Sequence, residues 1–308
     1  MYFPIIRGRQ FELQAIRESL KKNVLSEKVI PIVEPVKESK LLYDVVNLFI
    51  ESKRKIAIIK NPIVGDYVFQ KTIFKKDLFS KSTSFKDFLI DAFYVNDFLK
   101  NNSIEIEKNI LICDADNDSD KTISILDECS NGRNAFKLLI PDTRAFRRLQ
   151  YKNTVICNDY FKKRNRNADY AEHKDEEFSS DHLDYTRDSY VGFSDYSIIG
   201  KEYSESGFAP SAVAIHIVYF DDNKKLRVCH YVSDFKEGQR NTAKKYEQAV
   251  SKFVDWYEGI NSLFRTMGGD ALTNTYKQPK FPGLGKIKEY SLMHHFELIS
   301  KFLDEKIK

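Results

Sequence analysis

Short apolar runs alternate with longer amphipathic segments along the first half of the chain. The short runs predict buried strands, and they lie at residues 2–6, 29–35, 56–62, 109–117, 135–144 and 153–159. Residues 40–55 and 85–100 instead carry apolar side chains at helical spacing, which predicts amphipathic helices. This order of strands and helices predicts a parallel sheet covered by helices on both faces.

Two further apolar runs decide the number of strands. The run at 188–195 is interpreted as the seventh strand and the run at 212–220 as the eighth. Eight strands predict a (β/α)8 TIM-barrel-like fold, and the alternative is a doubly wound open parallel sheet. We expect one domain over residues 1–308.

The second half of the chain departs from this repeat. Alternating apolar residues predict an added β-hairpin at 212–233, whereas the charged segment 161–187 is interpreted as a solvated excursion. Helices are predicted at 241–258 and 289–306, and the Gly/Pro-rich segment 268–285 is interpreted as a loop.

Polar residues follow the predicted strands at their carboxyl-terminal ends, where barrel enzymes form their active sites. The candidate catalytic residues are Glu34, Lys60, Asp114, Asp195 and His216. The candidate ligand-binding residues are Arg7, Asp142, Arg144, Asp159 and His295. The structural alternative for each carboxylate is a helix N-cap, as for Asp142 in the sequence PDTR.

One of these candidates, together with a neighbouring carboxylate, also suits a metal ion. Asp114 and Asp116 in the sequence DADND supply the oxygen ligands that Mg²⁺ prefers, and the alternative is a solvated acidic loop.

His294 and His295 are neighbours on a predicted helix, so their side chains point about 100° apart and only one can face a given site. No HExxH, GxSxG, P-loop or GxGxxG motif occurs, so zinc-hydrolase, serine-hydrolase, ATPase and Rossmann interpretations lack their fingerprints.

Composition limits the partners. The net charge of +4 over 308 residues argues against a protein built mainly to bind a phosphate backbone. A basic segment at 162–167, with Tyr160, Phe161 and Tyr170 nearby, offers charge and stacking for nucleic acid, although a solvated loop is the alternative. No apolar run reaches the roughly 20 residues that cross a bilayer, and we do not expect the opening segment MYFPIIRGRQ to act as a secretory signal, because its apolar part is short and soon followed by charge. We therefore expect a cytoplasmic protein without membrane contact, whose four cysteines are reduced thiols.

Several segments carry a family likeness. Residues 1–20, with PIVEPVK at 31–37, the central segment 192–220 and the closing segment 285–303 together resemble the sce7725 family of bacterial proteins. More distantly they resemble the phage-encoded Beta protein family. The resemblance implies a component of a phage-defence or toxin-control module that acts with an operon-encoded, sce7726-like partner protein. It supplies no catalytic residue.

Two functional hypotheses follow. The first is this partner-dependent component, with a ligand site at the barrel mouth. The second is a Mg²⁺-dependent TIM-barrel hydrolase that acts on a phosphate-containing, nucleotide-like substrate. In the second, Glu34, Asp114 and Asp116 are metal-binding or acid–base groups. The cationic groups that stabilise negative charge are Arg7, Lys60 and His295.

Overall fold

A computed structural model describes most of the chain, namely residues 1–66, 85–102, 104, 106–129, 135–148, 151–204, 210–234, 240–278 and 281–307. The strands are β1 (Ile5–Arg7), β2 (Ile32–Glu34), β3 (Ile56–Ile59), β4 (Leu89–Tyr94), β5 (Ile110–Ile112), β6 (Lys137–Ile140), β7 (Thr154–Asn158), β8 (Asp175–Ser179), β9 (Gly192–Asp195), β10 (Ala214–Phe220) and β11 (Leu226–Val232). The α-helices are α1 (Gln10–Lys21), α2 (Lys40–Glu51), α3 (Phe85–Phe88), α4 (Asp97–Asn101), α5 (Ser119–Glu128), α6 (Arg144–Arg147), α7 (Asp181–Asp184), α8 (Thr242–Gly259), α9 (Met267–Lys277) and α10 (Leu284–Leu303).

The described residues group into two compact units. The first, here called the barrel unit, comprises Met1–Leu13, Glu27–Asp159 and Asp181–Tyr196. The second unit comprises Gln14–Ser26, Tyr160–Ser180 and Ser197–Lys308. No helix among the described residues is long and apolar enough to span a membrane.

The barrel unit contains an eight-stranded sheet in the order β1-β2-β3-β4-β5-β6-β7-β9, and every pairing is parallel. A bridge joins Tyr2, in the segment that leads into β1, to Phe193 in β9, and the Phe3 amide donates to the Phe193 carbonyl at 2.9 Å. The sheet is therefore nearly closed, and the TIM-barrel-like prediction is confirmed. A doubly wound sheet would reverse its strand order at a switch point, which this sheet does not do.

Two strand assignments from the sequence are wrong. Residues 85–100 are not one helix, because β4 lies within them and pairs with β3 and β5. A strand buried on both faces loses the alternation that would distinguish it from a helix. With β4 counted, Gly192–Asp195 supplies the eighth strand of the barrel, and residues 212–220 belong to a different sheet.

The interior of the barrel is apolar through most of its depth. Successive strand residues point to opposite faces, so alternate residues of each strand point inward. The inward core consists of Phe3, Ile5, Ile30, Ile32, Ala57, Ile59, Ile90, Ala92, Tyr94, Ile110, Ile112, Leu139, Val155, Cys157 and Tyr196. On the outer face, Phe93, Leu111, Leu138 and Ile140 join a second cluster with residues of α4, α5 and α6.

The second unit is built on a three-stranded antiparallel sheet in the order β10-β11-β8. The predicted hairpin is confirmed as β10 and β11, which pair from Ala214↔Val232 to Phe220↔Leu226. The side chains of Ile215 and Ile217 pack with residues of α8, α9 and α10 in one core. The sheet thus has one face covered by helices.

Two segments of this part of the chain differ from the sequence prediction. Residues 161–187 are not simply a solvated excursion, because they contain β8 and the buried side chains of Phe161, Tyr170 and Phe178. Residues 268–285 are not a loop, because α9 begins at Met267. Its N-cap Thr266 accepts a hydrogen bond from the Gly269 amide.

Close packing explains the glycines that made this second segment look like a loop. A Cβ added at Gly268 would lie 2.3 Å from the Tyr290 carbonyl oxygen and 2.5 Å from the His294 amide nitrogen. Glycine is needed here for the approach of α9 to α10, rather than for a turn.

Candidate functional site

A layer of polar side chains follows the apolar core at the carboxyl-terminal ends of the barrel strands. Each member lies two residues beyond an inward-facing core residue, or belongs to that core itself, so the layer shares the inward face. We call this set the mouth layer, and it consists of Arg7, Glu34, Asn61, Tyr94, Asp114, Asp159 and Tyr196. All of these except Asp159 are buried.

Glu34 is the centre of a hydrogen-bond network in this layer. Its carboxylate forms an ion pair with the Arg7 guanidinium, and one oxygen also accepts a hydrogen bond from the Tyr94 hydroxyl at 2.7 Å. The other oxygen accepts from the Ile63 amide at 2.8 Å. With these donors around it and no exposed surface, Glu34 holds Arg7 and Tyr94 in position.

Asn61 fixes the neighbouring strand. Its side-chain amide donates to the Tyr94 carbonyl at 2.9 Å, and its side-chain oxygen accepts from the Tyr94 amide at 2.8 Å. This pair of bonds orients the end of β4, and with it the phenol that contacts Glu34.

The two phenols of the layer are hydrogen-bond donors at neutral pH. Burial raises the pKa of both Tyr94 and Tyr196 well above the usual value. The Arg7 guanidinium carbon lies 5.8 Å from the centroid of the Tyr196 ring. Among the described residues no hydrogen-bond partner is found for the Tyr196 hydroxyl, so this donor is available to a ligand.

Asp114 is the buried carboxylate on the β5 side of the layer, with 6 % of its surface exposed. One of its oxygens accepts a hydrogen bond from the Asp116 amide at 2.9 Å, whereas Asp116 itself is exposed. No group of three or more His, Cys, Asp or Glu side chains suited to a metal ion occurs in the described part of the chain. Mg²⁺ commonly uses only one or two carboxylates and takes its other ligands from water and substrate phosphates.

The charge of the layer is acidic. The layer contains one positively charged group, the Arg7 guanidinium, and three carboxylates, those of Glu34, Asp114 and Asp159. The layer therefore offers a bare anion little net attraction and favours a ligand that is neutral or carries a cation.

Several predicted site residues lie outside the mouth layer. Lys60 precedes Asn61 and so points to the other face of the sheet, where it pairs with Asp91 at 3.1 Å. Asp195 is likewise one residue from the inward position, and it accepts a hydrogen bond from the Tyr2 hydroxyl at 2.7 Å.

Asp142 and Arg144 are exposed at the start of α6. Asp142 forms an ion pair with Arg147, and the N-cap of α6 is Thr143. The proposed capping role of Asp142 is therefore wrong.

The two predicted histidines belong to the second unit. His216 lies on β10 of the antiparallel sheet, so it does not end a barrel strand as predicted. His295 is fully buried on α10, where its Nδ1 lies 2.6 Å from the Ser197 hydroxyl and its ring packs edge-on against Phe178.

Three members of the layer were missed from the sequence, namely Asn61, Tyr94 and Tyr196. Tyr94 was hidden in a segment that resembled a helix. The other two are each adjacent to a charged residue that drew attention, and counting alternate residues from the core would have identified them.

Two of the aromatic side chains beside the basic segment 162–167 pack inside the second unit, and nucleic-acid binding stays a prediction. Phe161 and Tyr170 are buried, and they pack against the rings of His216 and His230. They present no open face on which a base could stack.

Comparison with known proteins gives no relative: no family model, no curated protein and no solved structure matches the chain. Membership of the sce7725 family, the operon-encoded partner, the phage-defence context and the cytoplasmic location therefore stay predictions.

Proposed function

We propose that the barrel unit is a hydrolase that binds a small, phosphate-containing substrate at the mouth layer together with Mg²⁺. The observation that carries the proposal is the layer itself. Buried ion pairs give little stability compared with apolar residues of similar size, so a charged layer above an apolar core is better explained by function than by stability. Its position matches the usual location of active sites in such barrels.

The charges of the layer support the metal. Because carboxylates outnumber cations, a phosphate group would be repelled unless a divalent ion accompanied it. Asp114 and Asp116 are the candidate ligands, and Mg²⁺ would supply a polarised phosphoryl group and an activated water. Arg7 and Tyr196 would donate hydrogen bonds to the phosphate oxygens, and Glu34 is a positioning residue because its carboxylate is already bonded to donors from the protein.

Binding measured by calorimetry tests this proposal. A panel of nucleotides and sugar phosphates is titrated into the protein with and without Mg²⁺. We expect binding that requires Mg²⁺ and is at least about 10-fold weaker in Tyr196→Phe, since one hydrogen bond to a charged group contributes about 1.5–3 kcal/mol. This substitution should leave folding intact, because the hydroxyl has no partner among the described residues.

Lys60→Ala is the matched control, since Lys60 lies beside the layer but faces away from it. Equal loss of affinity in both variants, or no binding under either condition, would refute the proposal. Binding of an uncharged ligand without Mg²⁺ would contradict the parts of the proposal that concern the phosphate group and the metal.

A role beside an operon-encoded partner in phage defence or toxin control is a second proposal, and only the family resemblance supports it. Co-purification of the two proteins, followed by an activity assay of the neighbour with and without this chain, tests it. Full activity of the neighbour alone would contradict it. Deletion of 161–187 is not a usable variant, because it would remove β8.

A further inference from the structure

Two histidines face each other on the sheet of the second unit. His216 and His230 are directly opposite in the β10–β11 register. Their Nδ1 atoms lie 2.7 Å apart, which is hydrogen-bond distance between two imidazole nitrogens. Such a bond needs one ring to donate a proton and the other to accept it.

A carboxylate decides which ring donates. Glu176 on β8 lies 3.3 Å from His230 Nε2. Its other oxygen accepts a hydrogen bond from Arg164 at 2.6 Å, and Lys162 lies 3.6 Å away. Burial opposes ionisation of Glu176, but Arg164, Lys162 and His230 together lower its pKa below the usual value, so it is a carboxylate and can only accept.

The tautomers of both rings follow in order. His230 must carry its proton on Nε2 to donate to Glu176, so its Nδ1 is an acceptor. His216 must then donate from Nδ1, which leaves the lone pair on its Nε2. The chain of bonds therefore points the basic nitrogen of His216 away from the carboxylate.

The surroundings keep this arrangement neutral and in place. Burial, together with the neighbouring ring, lowers the pKa of His216, and burial lowers the pKa of His230 to about 4. The rings of Phe161 and Tyr170 pack against both histidines.

The Nε2 atom of His216 is the part of this pair that a ligand can reach. His216 is partly exposed, whereas His230 is buried. Among the described residues no hydrogen-bond partner is found for His216 Nε2.

We propose that His216 Nε2 is the proton acceptor of a second site, in the second unit, for a small polar ligand that presents an acidic O–H or N–H group. The proton moves to Nε2 and the ligand keeps the electron pair. His230 and Glu176 are positioning residues, which fix the tautomer and stabilise the imidazolium that forms, as the acid does in other carboxylate–histidine pairs. A metal site is disfavoured, because the Nδ1 atoms bond each other and no suitable group of three ligands occurs among the described residues.

Long-range proton–nitrogen NMR of the histidine-labelled, full-length protein at pH 7 tests the tautomers without any substitution. We expect His216 protonated on Nδ1 and His230 on Nε2. A proton on Nε2 of His216 would overturn the proposal.

Modification by diethyl pyrocarbonate tests the reactivity of the same atom. The Nε2 lone pair attacks a carbonyl carbon of the reagent, and the anhydride C–O bond breaks. The ethyl carbonate that leaves takes up a proton from water and decomposes to ethanol and carbon dioxide, while the Nδ1 proton of His216 passes to His230 and from there to solvent, so that no net charge is left on the two rings. Peptide mapping gives the rate at each histidine, with the exposed His173 as internal reference.

We expect His216 to react as fast as His173 in the native protein, and at least about 10-fold more slowly in Glu176→Gln, because the neutral amide no longer fixes the tautomer that leaves the lone pair on His216 Nε2. Asp175→Asn is the matched control, because Asp175 is adjacent on β8 but bonds Arg227. It should leave the rate at His216 unchanged. An unreactive His216 in the native protein, a rate unaffected by Glu176→Gln, or an equal fall in Asp175→Asn would overturn the proposal.

Discussion

Replacing Glu34 by Ala should destabilise the barrel unit by about 3–5 kcal/mol. The substitution removes the acceptor shared by the Arg7 guanidinium, the Tyr94 hydroxyl and the Ile63 amide. Hydrogen bonds to charged groups contribute about 1.5–3 kcal/mol each, but bonds that share one carboxylate are not additive. The range given is the usual cost of leaving one member of a buried ion pair without its partner.

The same reasoning predicts a rescue. In the double variant Arg7→Met with Glu34→Leu, neither member of the pair leaves the other's charge buried and unpaired, and exchange of a buried pair for apolar residues is often neutral or stabilising. The double variant should therefore recover most of the stability that Glu34→Ala loses, while Mg²⁺-dependent ligand binding stays lost.

Hydrogen exchange of the barrel-strand amides, supported by urea unfolding followed by circular dichroism, is the suitable assay. The only tryptophan, Trp256, lies in the second unit and would not report on the barrel. Glu38→Ala is the control, because Glu38 is exposed and should change stability by less than about 0.5 kcal/mol. A loss below about 1 kcal/mol in Glu34→Ala, or no recovery in the double variant, would refute the reasoning.

Three further predictions concern stability. Lys60→Ala should cost less than about 1 kcal/mol in urea unfolding, because its pair with Asp91 is partly exposed. Gly268→Ala should lower the free energy of unfolding by about 1–3 kcal/mol or more, because its Cβ would overlap backbone atoms. The control Gly259→Ala should be tolerated, because its Cβ meets no atom within 4 Å. The midpoint of thermal unfolding distinguishes the two variants. Burial lowers the pKa of His294 to about 4, below the unfolded value of about 6.5. The unfolded chain therefore binds this proton first, and stability that is complete above pH 6.5 should fall towards pH 4 by about 1.4 kcal/mol per unit. In His294→Gln, the free energy of unfolding, measured with urea between pH 4 and 7, should therefore change less with pH, by about 1.4 kcal/mol per pH unit.

Much of the barrel could be predicted from the sequence, because its strands are continuous apolar runs separated by helices. Six of the eight strands lie within runs identified from the sequence, and β1 shares two of its three residues, Ile5 and Ile6, with a seventh run. The exception is β4, where Ile90, Ala92 and Phe93 are spaced as on a helix, and only parallel pairing with its neighbours decides between the two. The loop predicted at 268–285 was wrong for a similar reason. Glycine is required both in turns and where two helices pack closely, and Gly268 belongs to the second case.

The candidate site depended on a one-residue register that composition does not reveal. Arg7, Glu34 and Asp114 were identified because the charged residue is also the inward one. At two other strand ends the charged residue faces outward and its uncharged neighbour enters the layer: Asn61 follows Lys60, and Tyr196 follows Asp195. Whether a residue at a strand end belongs to the mouth layer therefore depends on the face of the sheet to which its side chain points, and not on its charge.

A crystal structure of the protein soaked with Mg²⁺ and the tightest-binding nucleotide or sugar phosphate would test the central claim most directly. We predict ligand density at the carboxyl-terminal end of the barrel, with a phosphate oxygen within hydrogen-bond distance of the Tyr196 hydroxyl and the ion bound by Asp114. Density only at another surface, with the Tyr196 hydroxyl uncontacted, would contradict the assignment of the mouth layer as the site.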